Sequence, residues 1–365
     1  MLTASPDVGS SSQWQTIGNR AAITLLNGAI KQQRVSHAYL FTGPNRVGKR
    51  TLAINFARAL NCNVQDIAAP GWGDLQPAPP CGQCSACDRI ARSNFADVQI
   101  ITSSTQSSKD PDVRSAQRRV MIGIDLIKDL QSDAILEPYE GRVKVFIIDE
   151  ANRMSQDAAN ALLKTLEEPP SSVHIILTAP SEESVPETIA SRCHLVRLRS
   201  VPPETITDAL IERYGVPQAE AEPLAKMSMG APGWAIAARK DPSLIDARKQ
   251  SASRIIDVIK ADLPDRFDYA FKMTQEFRRD RASGLEEIAR WLEILRDVAM
   301  LQNELYQHIV FGDRIEELTD LAKKLTTEDL ARATLAIQNT RDALMSNAYS
   351  QLAFDGMMLR IPTTA

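Results

Sequence analysis

GPNRVGKRT, Gly43 to Thr51, is the stretch that decides how this 365-residue chain reads. It follows G-x-x-x-x-G-K as far as Lys49 and then breaks the pattern, with Arg50 where Ser or Thr belongs. In such a loop the backbone N–H groups cradle phosphates, the lysine reaches the terminal ones, and the hydroxyl holds magnesium. The nucleotide contacts are therefore assigned to Gly43, Gly48 and Lys49, with Arg50 and Thr51 at the metal corner. The flanking sequence supplies the context the motif needs. HAYLFTGP reads as a short buried strand entering the loop, and TLAINFARAL as a helix with Leu52, Phe56 and Leu60 on one face.

Farther out, DVQIIT, KVFIIDE and VHIILTAP read as strands, alternating with helical MIGIDLIKDLQSDA and SQDAANALLKTLEEPP. Strands alternating with helices predict a parallel sheet covered on both faces. KVFIIDE brings Asp149 and Glu150 to a strand end. In a P-loop fold the first such carboxylate holds magnesium and the second polarises the attacking water, whereas alone the pair would merely cap a strand. The polar run STQSSKDPDVRSAQRR reads as a solvated loop, and residues 2–13 as a loose tail.

Beyond about residue 200 only helices are legible. LEEIARWLEILRDVAM carries Leu285, Ile288, Leu292, Leu295 and Ala299 at helical spacing. TTEDLARATLAIQNTRDAL opens with Thr326 as an N-cap and repeats Leu330, Ala333, Ile337 and Leu344. Both stripes are read as core contacts of a bundle.

Composition is that of a soluble globular protein, with 44% hydrophobic and 24% charged residues, and the length implies two or three domains. A formal net charge of -4 argues against whole-protein attraction to nucleic acid, so any DNA contact is local or made through a partner. No signal peptide and no apolar run of membrane-spanning length is found, which predicts a cytoplasmic protein with no membrane contact.

Cys62, Cys81, Cys84 and Cys87 gather four of the five cysteines, the last three as C-x-x-C-x-x-C. That spacing suits one tetrahedral zinc held by thiolates, as a staple. A disulfide is the weaker reading in a reducing compartment. An iron–sulfur run of the bacterial ferredoxin type would want a ligand at Ala91.

Taken together, HAYLFTGPNRVGK, IIDEANRMSQDAANALLKTLEEPP, HIILTAP and ETIASRCHLVRL resemble the AAA+ subunits of bacterial clamp loaders, part of DNA polymerase III. The resemblance is dense over the first two hundred residues and thinner as far as NAYSQLAFDGMMLR. It implies an α/β AAA+ nucleotide-binding domain with a zinc module over 1–200 (the module at 62–87), a helical lid over 201–243 and a helical collar over 244–365. It also implies ATP sites between neighbours in a hetero-pentamer with delta and tau/gamma subunits, which sets a sliding clamp on primed DNA. Ser191-Arg192-Cys193 matches the family's arginine-finger motif, so Arg192 would act catalytically in the adjoining subunit's site. Thr178 matches the polar residue that senses the terminal phosphate.

Departures from the family pattern separate a motor from a passive subunit. Arg50 replaces the magnesium-binding hydroxyl, Thr51 comes one residue late, and Trp234 stands where active members carry a nucleotide-touching arginine. Arg46 replaces a glycine common within the loop. With the finger intact, the pattern implies a finger donor with little or no ATP hydrolysis of its own, Glu150 vestigial, and a nucleotidyltransferase association through the polymerase complex alone. Lys49, Asp149 and Glu150 keep magnesium-ATP binding open. An active motor of the tau/gamma type and an AAA+ adaptor outside replication stand as the alternatives.

Overall fold

The computed structural model describes residues 14–63, 80–103, 121–346 and 348–363. The expected tail, most of the stretch between Cys62 and Cys81, and the polar run STQSSKDPDVRSAQRR lie outside the described residues. The chain divides into two compact units, Met1–Pro217 with Gly230–Trp234, and Gln218–Met229 with Ala235–Ala365.

In the first unit, β1 (Ala38–Thr42), β2 (Val98–Ile101), β3 (Lys144–Ile148), β4 (Val173–Ala179) and β5 (His194–Arg197) form one sheet in the order β2-β3-β4-β1-β5. Every pairing is parallel. β1, β3 and β4 are buried at every position, which is why they read as unbroken apolar runs rather than alternating ones. Helices α1 (Arg20–Lys31), α2 (Lys49–Leu60) and α3 (Ser85–Ala91), then Ile124–Ala134 and Gln156–Glu167, accompany the sheet. Leu126, Ile127, Leu130, Ala158, Ala159 and Leu162 pack with β3 and β4 in one buried cluster.

The register fixes what meets at the carboxyl ends of the strands. Thr42 pairs with Ala179, and Ile148 with Leu177, so the loop after β1, the carboxylates after β3 and Thr178 in β4 come to one edge. The Gly43 N–H closes this edge by donating to the carbonyl of Pro180 (3.1 Å). β1 lies between β4 and β5 although the chain leaves it for β2 at the far edge, which makes this the switch point where open α/β sheets bind ligands.

The second unit is helical, with no strand among its described residues. Trp291 is fully buried at its core, with Ile288, Leu295, Leu330, Ala333, Ile337 and Leu344 from the two sequence stripes. Leu285, Leu292 and Ala299 pack partly buried against that core. Thr326 caps the helix Thr327–Met345 in a reciprocal box with Asp329. Arg266 is a buried cation on the helix Leu263–Arg279. Its guanidinium donates to the carbonyls of Val258, Ile259 and Ala261 where one helix ends, and of Met358, Ile361 and Pro362 where another does.

Candidate functional site

The phosphate-loop corner is built from backbone conformations that the sequence permits at two glycines. Gly43 (φ 147°) lies against the Leu198 carbonyl, and Gly48 (φ 108°) caps α2, both in the region that favours glycine. Arg46 also sits at positive φ (59°), where a glycine would be unstrained, and its carbonyl accepts the Gly233 N–H at 2.9 Å.

Lys49 does not reach into open space. Its Nζ donates to the carbonyls of Gly43 (2.6 Å) and Pro44 (2.8 Å), so the loop's own backbone holds it. Burial pushes its pKa down to about 8, against the opposing pull of Asp149 and Glu150. Asp149, just past β3, accepts a hydrogen bond from the fully buried Thr178 hydroxyl (2.7 Å). The same hydroxyl accepts from the Glu150 N–H (3.0 Å), so Thr178 bridges the two carboxylate residues. The other Asp149 oxygen faces the Arg50 guanidinium at 3.5 Å. The cation beside the Asp149 carboxylate is therefore a side chain of this chain. Thr51 lies exposed on α2. Glu150 is exposed and left-handed (φ 59°), with its carboxylate paired to Arg153 at 3.3 Å.

Arg192 follows the short helix Glu187–Ala190. It donates to the Thr188 carbonyl (2.9 Å) and to Glu167 (2.6 Å) at the end of the helix Gln156–Glu167. Both ends of that ion pair are partly exposed, so a new partner can displace it at low cost. Cys193 next to it is pushed up to about 12 by burial, which makes it a packing thiol rather than a nucleophile.

The structure gathers the four cysteines at one point. The Sγ atoms of Cys62, Cys81, Cys84 and Cys87 all lie within 4.8 Å of one another, and none is in a disulfide. Cys62, Cys81 and Cys87 are buried. Tetrahedral bonds of about 2.3 Å to a metal set sulfurs roughly 3.8 Å apart, close to the 4.0 Å between Cys81 and Cys87. Backbone N–H groups of Cys84 and Cys87 point at the sulfurs of Cys81 (3.3 Å) and Cys84 (3.4 Å), donors that would favour thiolates. As thiols, Cys87 is held above its ordinary range by the Cys62 side chain and by burial, and Cys81 chiefly by burial. A dication among them reverses that preference, so this donor set fits a metal ion.

Of the residues singled out from sequence, Gly43, Gly48, Lys49, Arg50, Asp149, Glu150 and Thr178 meet at one sheet edge. Thr51, exposed on α2, is not among them. Sequence reasoning missed Glu167 as the partner of Arg192 and the bonds that turn Lys49 onto its own loop. The acidic EEPP at the end of the helix Gln156–Glu167 carried the signal for the first; nothing local signalled the second.

The family described as DNA polymerase III, delta subunit, matches residues 18–202. The chain is 27% identical to the DNA polymerase III subunit delta' of Bacillus subtilis over 341 residues, 92% of this chain and 94% of that one. It is 34% identical to subunit tau/gamma of Haemophilus influenzae over 53% of this chain and 25% of that one. Against subunit tau of Bacillus subtilis the figures are 31%, 56% and 32%. The chain thus spans only a quarter to a third of the tau relatives' length, whereas the likeness to delta' runs through both units. With just over half its residues matched by one family model, the chain belongs to the DNA polymerase III delta subunit family, and its likeness to a delta' subunit covers 92% of its length.

Proposed function

We propose that this chain is the passive, finger-donating subunit of a clamp loader, completing a neighbour's ATP site through Arg192 and hydrolysing little or no ATP itself. The observation that carries the reading is the Arg50 guanidinium 3.5 Å from Asp149. Magnesium bound there would stand against a fixed positive charge, and the hydroxyl that normally ligates it is missing. Lys49 is at the same time satisfied by its own loop. Glu150, paired with Arg153, would be vestigial as a water-polarising base.

In this reading the partners are delta and tau/gamma subunits in a hetero-pentamer, with the sliding clamp and primed DNA reached through the assembly. Arg192 would exchange Glu167 for the phosphoryl oxygens of the neighbour's nucleotide, where a guanidinium stabilises transferring charge. The division into a nucleotide-binding-like domain, a lid at 201–243 and a collar beyond belongs to the same proposal. Zinc is the metal proposed for Cys62, Cys81, Cys84 and Cys87, where it would tie the end of α2 to α3 and do no chemistry.

The test is calorimetric titration of the purified chain with magnesium and a slowly hydrolysed ATP analogue, followed by a turnover assay. The expected result is background turnover with weak or absent magnesium-nucleotide binding. Turnover comparable with motor subunits would overturn the proposal.

A further inference from the structure

The loop that precedes β3 is held by side chains that flank the cysteine cluster. It exposes Ile135, Leu136 and Tyr139, the last 87% exposed, yet its backbone is tightly tied. Asp97, 3% exposed at the entrance to β2, accepts the N–H groups of Tyr139 (2.8 Å), Glu140 (2.8 Å) and Gly141 (2.7 Å). Asn61, 1% exposed, accepts those of Arg142 (2.9 Å) and Val143 (3.2 Å) through its Oδ1. Glu140 takes a two-pronged ion pair from Arg89, one prong at 2.8 Å, and accepts the Ala96 N–H at 3.2 Å.

Two of these three anchors adjoin metal-ligand candidates in the chain. Asn61 immediately precedes Cys62, at the C-cap of α2. Arg89 lies two residues after Cys87 on α3, a helix of seven residues whose N-cap is Cys84. A helix that short has little stability of its own, so its position depends on what ties it down. Besides Glu140, Arg89 donates to the Asn94 carbonyl and covers the Phe95 ring, so its guanidinium moves with α3. Asp97, by contrast, stands at the start of a paired strand, independent of the cysteines.

We propose that metal binding by the four cysteines positions the 139–143 loop, through Asn61 at one end of the cluster and Arg89 at the other. This rests on the zinc reading above and extends it from a local staple to control of a separate surface segment. Loss of the metal releases α3 and the end of α2. The Asn61 and Arg89 anchors then loosen while the Asp97 anchor holds. The consequence is a pattern along the loop rather than a general softening.

Residue-resolved amide hydrogen exchange on the full chain, before and after stripping with a chelator, tests this, with metal content measured in parallel by mass spectrometry. The expected result is exchange faster by about tenfold or more at Ala96, Arg142 and Val143, with Tyr139, Glu140 and Gly141 much less affected, because local opening follows the bonds that are lost. Arg89→Ala, with metal retained, is expected to speed Ala96 alone. Metal bound but exchange at 142 and 143 unchanged on stripping overturns the coupling and leaves the metal reading standing. A uniform rise through Tyr139–Gly141 and β1 also overturns it, making the metal a support of the whole unit. A purified chain that takes up no metal overturns both.

Discussion

At the scale of single residues, the proposed role of the departure at Arg50 is to replace the ion, not only to remove a ligand. In the proposed reading its guanidinium, 3.5 Å from Asp149, supplies the positive charge that magnesium would otherwise bring there. Arg50→Thr removes that charge and supplies a hydroxyl directly after Lys49. Magnesium-nucleotide affinity, measured by calorimetry, is expected to rise by about tenfold or more, the scale of one charge-assisted contact. Lys49 gives a second, pH-dependent expectation. Its folded pKa of about 8 lies below the ordinary 10.5, so the unfolded chain holds more protons across that window. Stability from this group therefore rises with pH between those values, and its full cost is present below about pH 8. Lys49→Met is expected to gain on the parent by roughly 1–3 kcal/mol at pH 7 relative to its standing at pH 11, read from denaturant midpoints. Thr178→Val orphans the Glu150 N–H and one Asp149 contact, and is expected to cost about 1–3 kcal/mol in the same measurement.

At the scale of elements, the two units solve the same end problem differently. The strands end at a shared edge where loop backbone and side chains satisfy one another, as the Gly43 bond to Pro180 does. In the helical unit, Arg266 collects the last carbonyls of Ser243–Lys260 and Ser350–Arg360, where two negative dipole ends converge. Arg266→Met keeps the stem's volume but takes the guanidinium donor from all of those carbonyls. The expected loss is about 3 kcal/mol or more in equilibrium unfolding, large for one side chain because several acceptors lose one partner. Thr326→Ala, which removes only an exposed cap, is expected to cost about 1 kcal/mol.

At the scale of the whole molecule, the proposed reading has this chain complete no ATP site of its own and lend Arg192, held by an exposed pair with Glu167, to a neighbour. Arg192→Ala in an assembly reconstituted with tau/gamma and delta subunits is expected to leave the purified chain's own background turnover unchanged. It is expected to lower ATP turnover at the adjoining site by about a hundredfold or more, as loss of an arginine finger does. Unchanged turnover in the assembly would remove the finger role.

The sequence by itself determined the strand–loop–helix around GPNRVGKRT, the alternation that yields a parallel sheet, and the helical stripes. These are local patterns of period and turn chemistry, which tertiary packing had only to accept. It also placed Cys62 in one cluster with Cys81, Cys84 and Cys87, since thiolate chemistry is written in residue type. Strand order, and with it the meeting of Asp149, Thr178 and Arg50, came only from tertiary structure, because it depends on pairing between segments far apart in the chain. The same holds for Asn61 and Asp97, ordinary polar residues in sequence. They became anchors because folding buried their side-chain oxygens against the backbone N–H groups of the 139–143 loop.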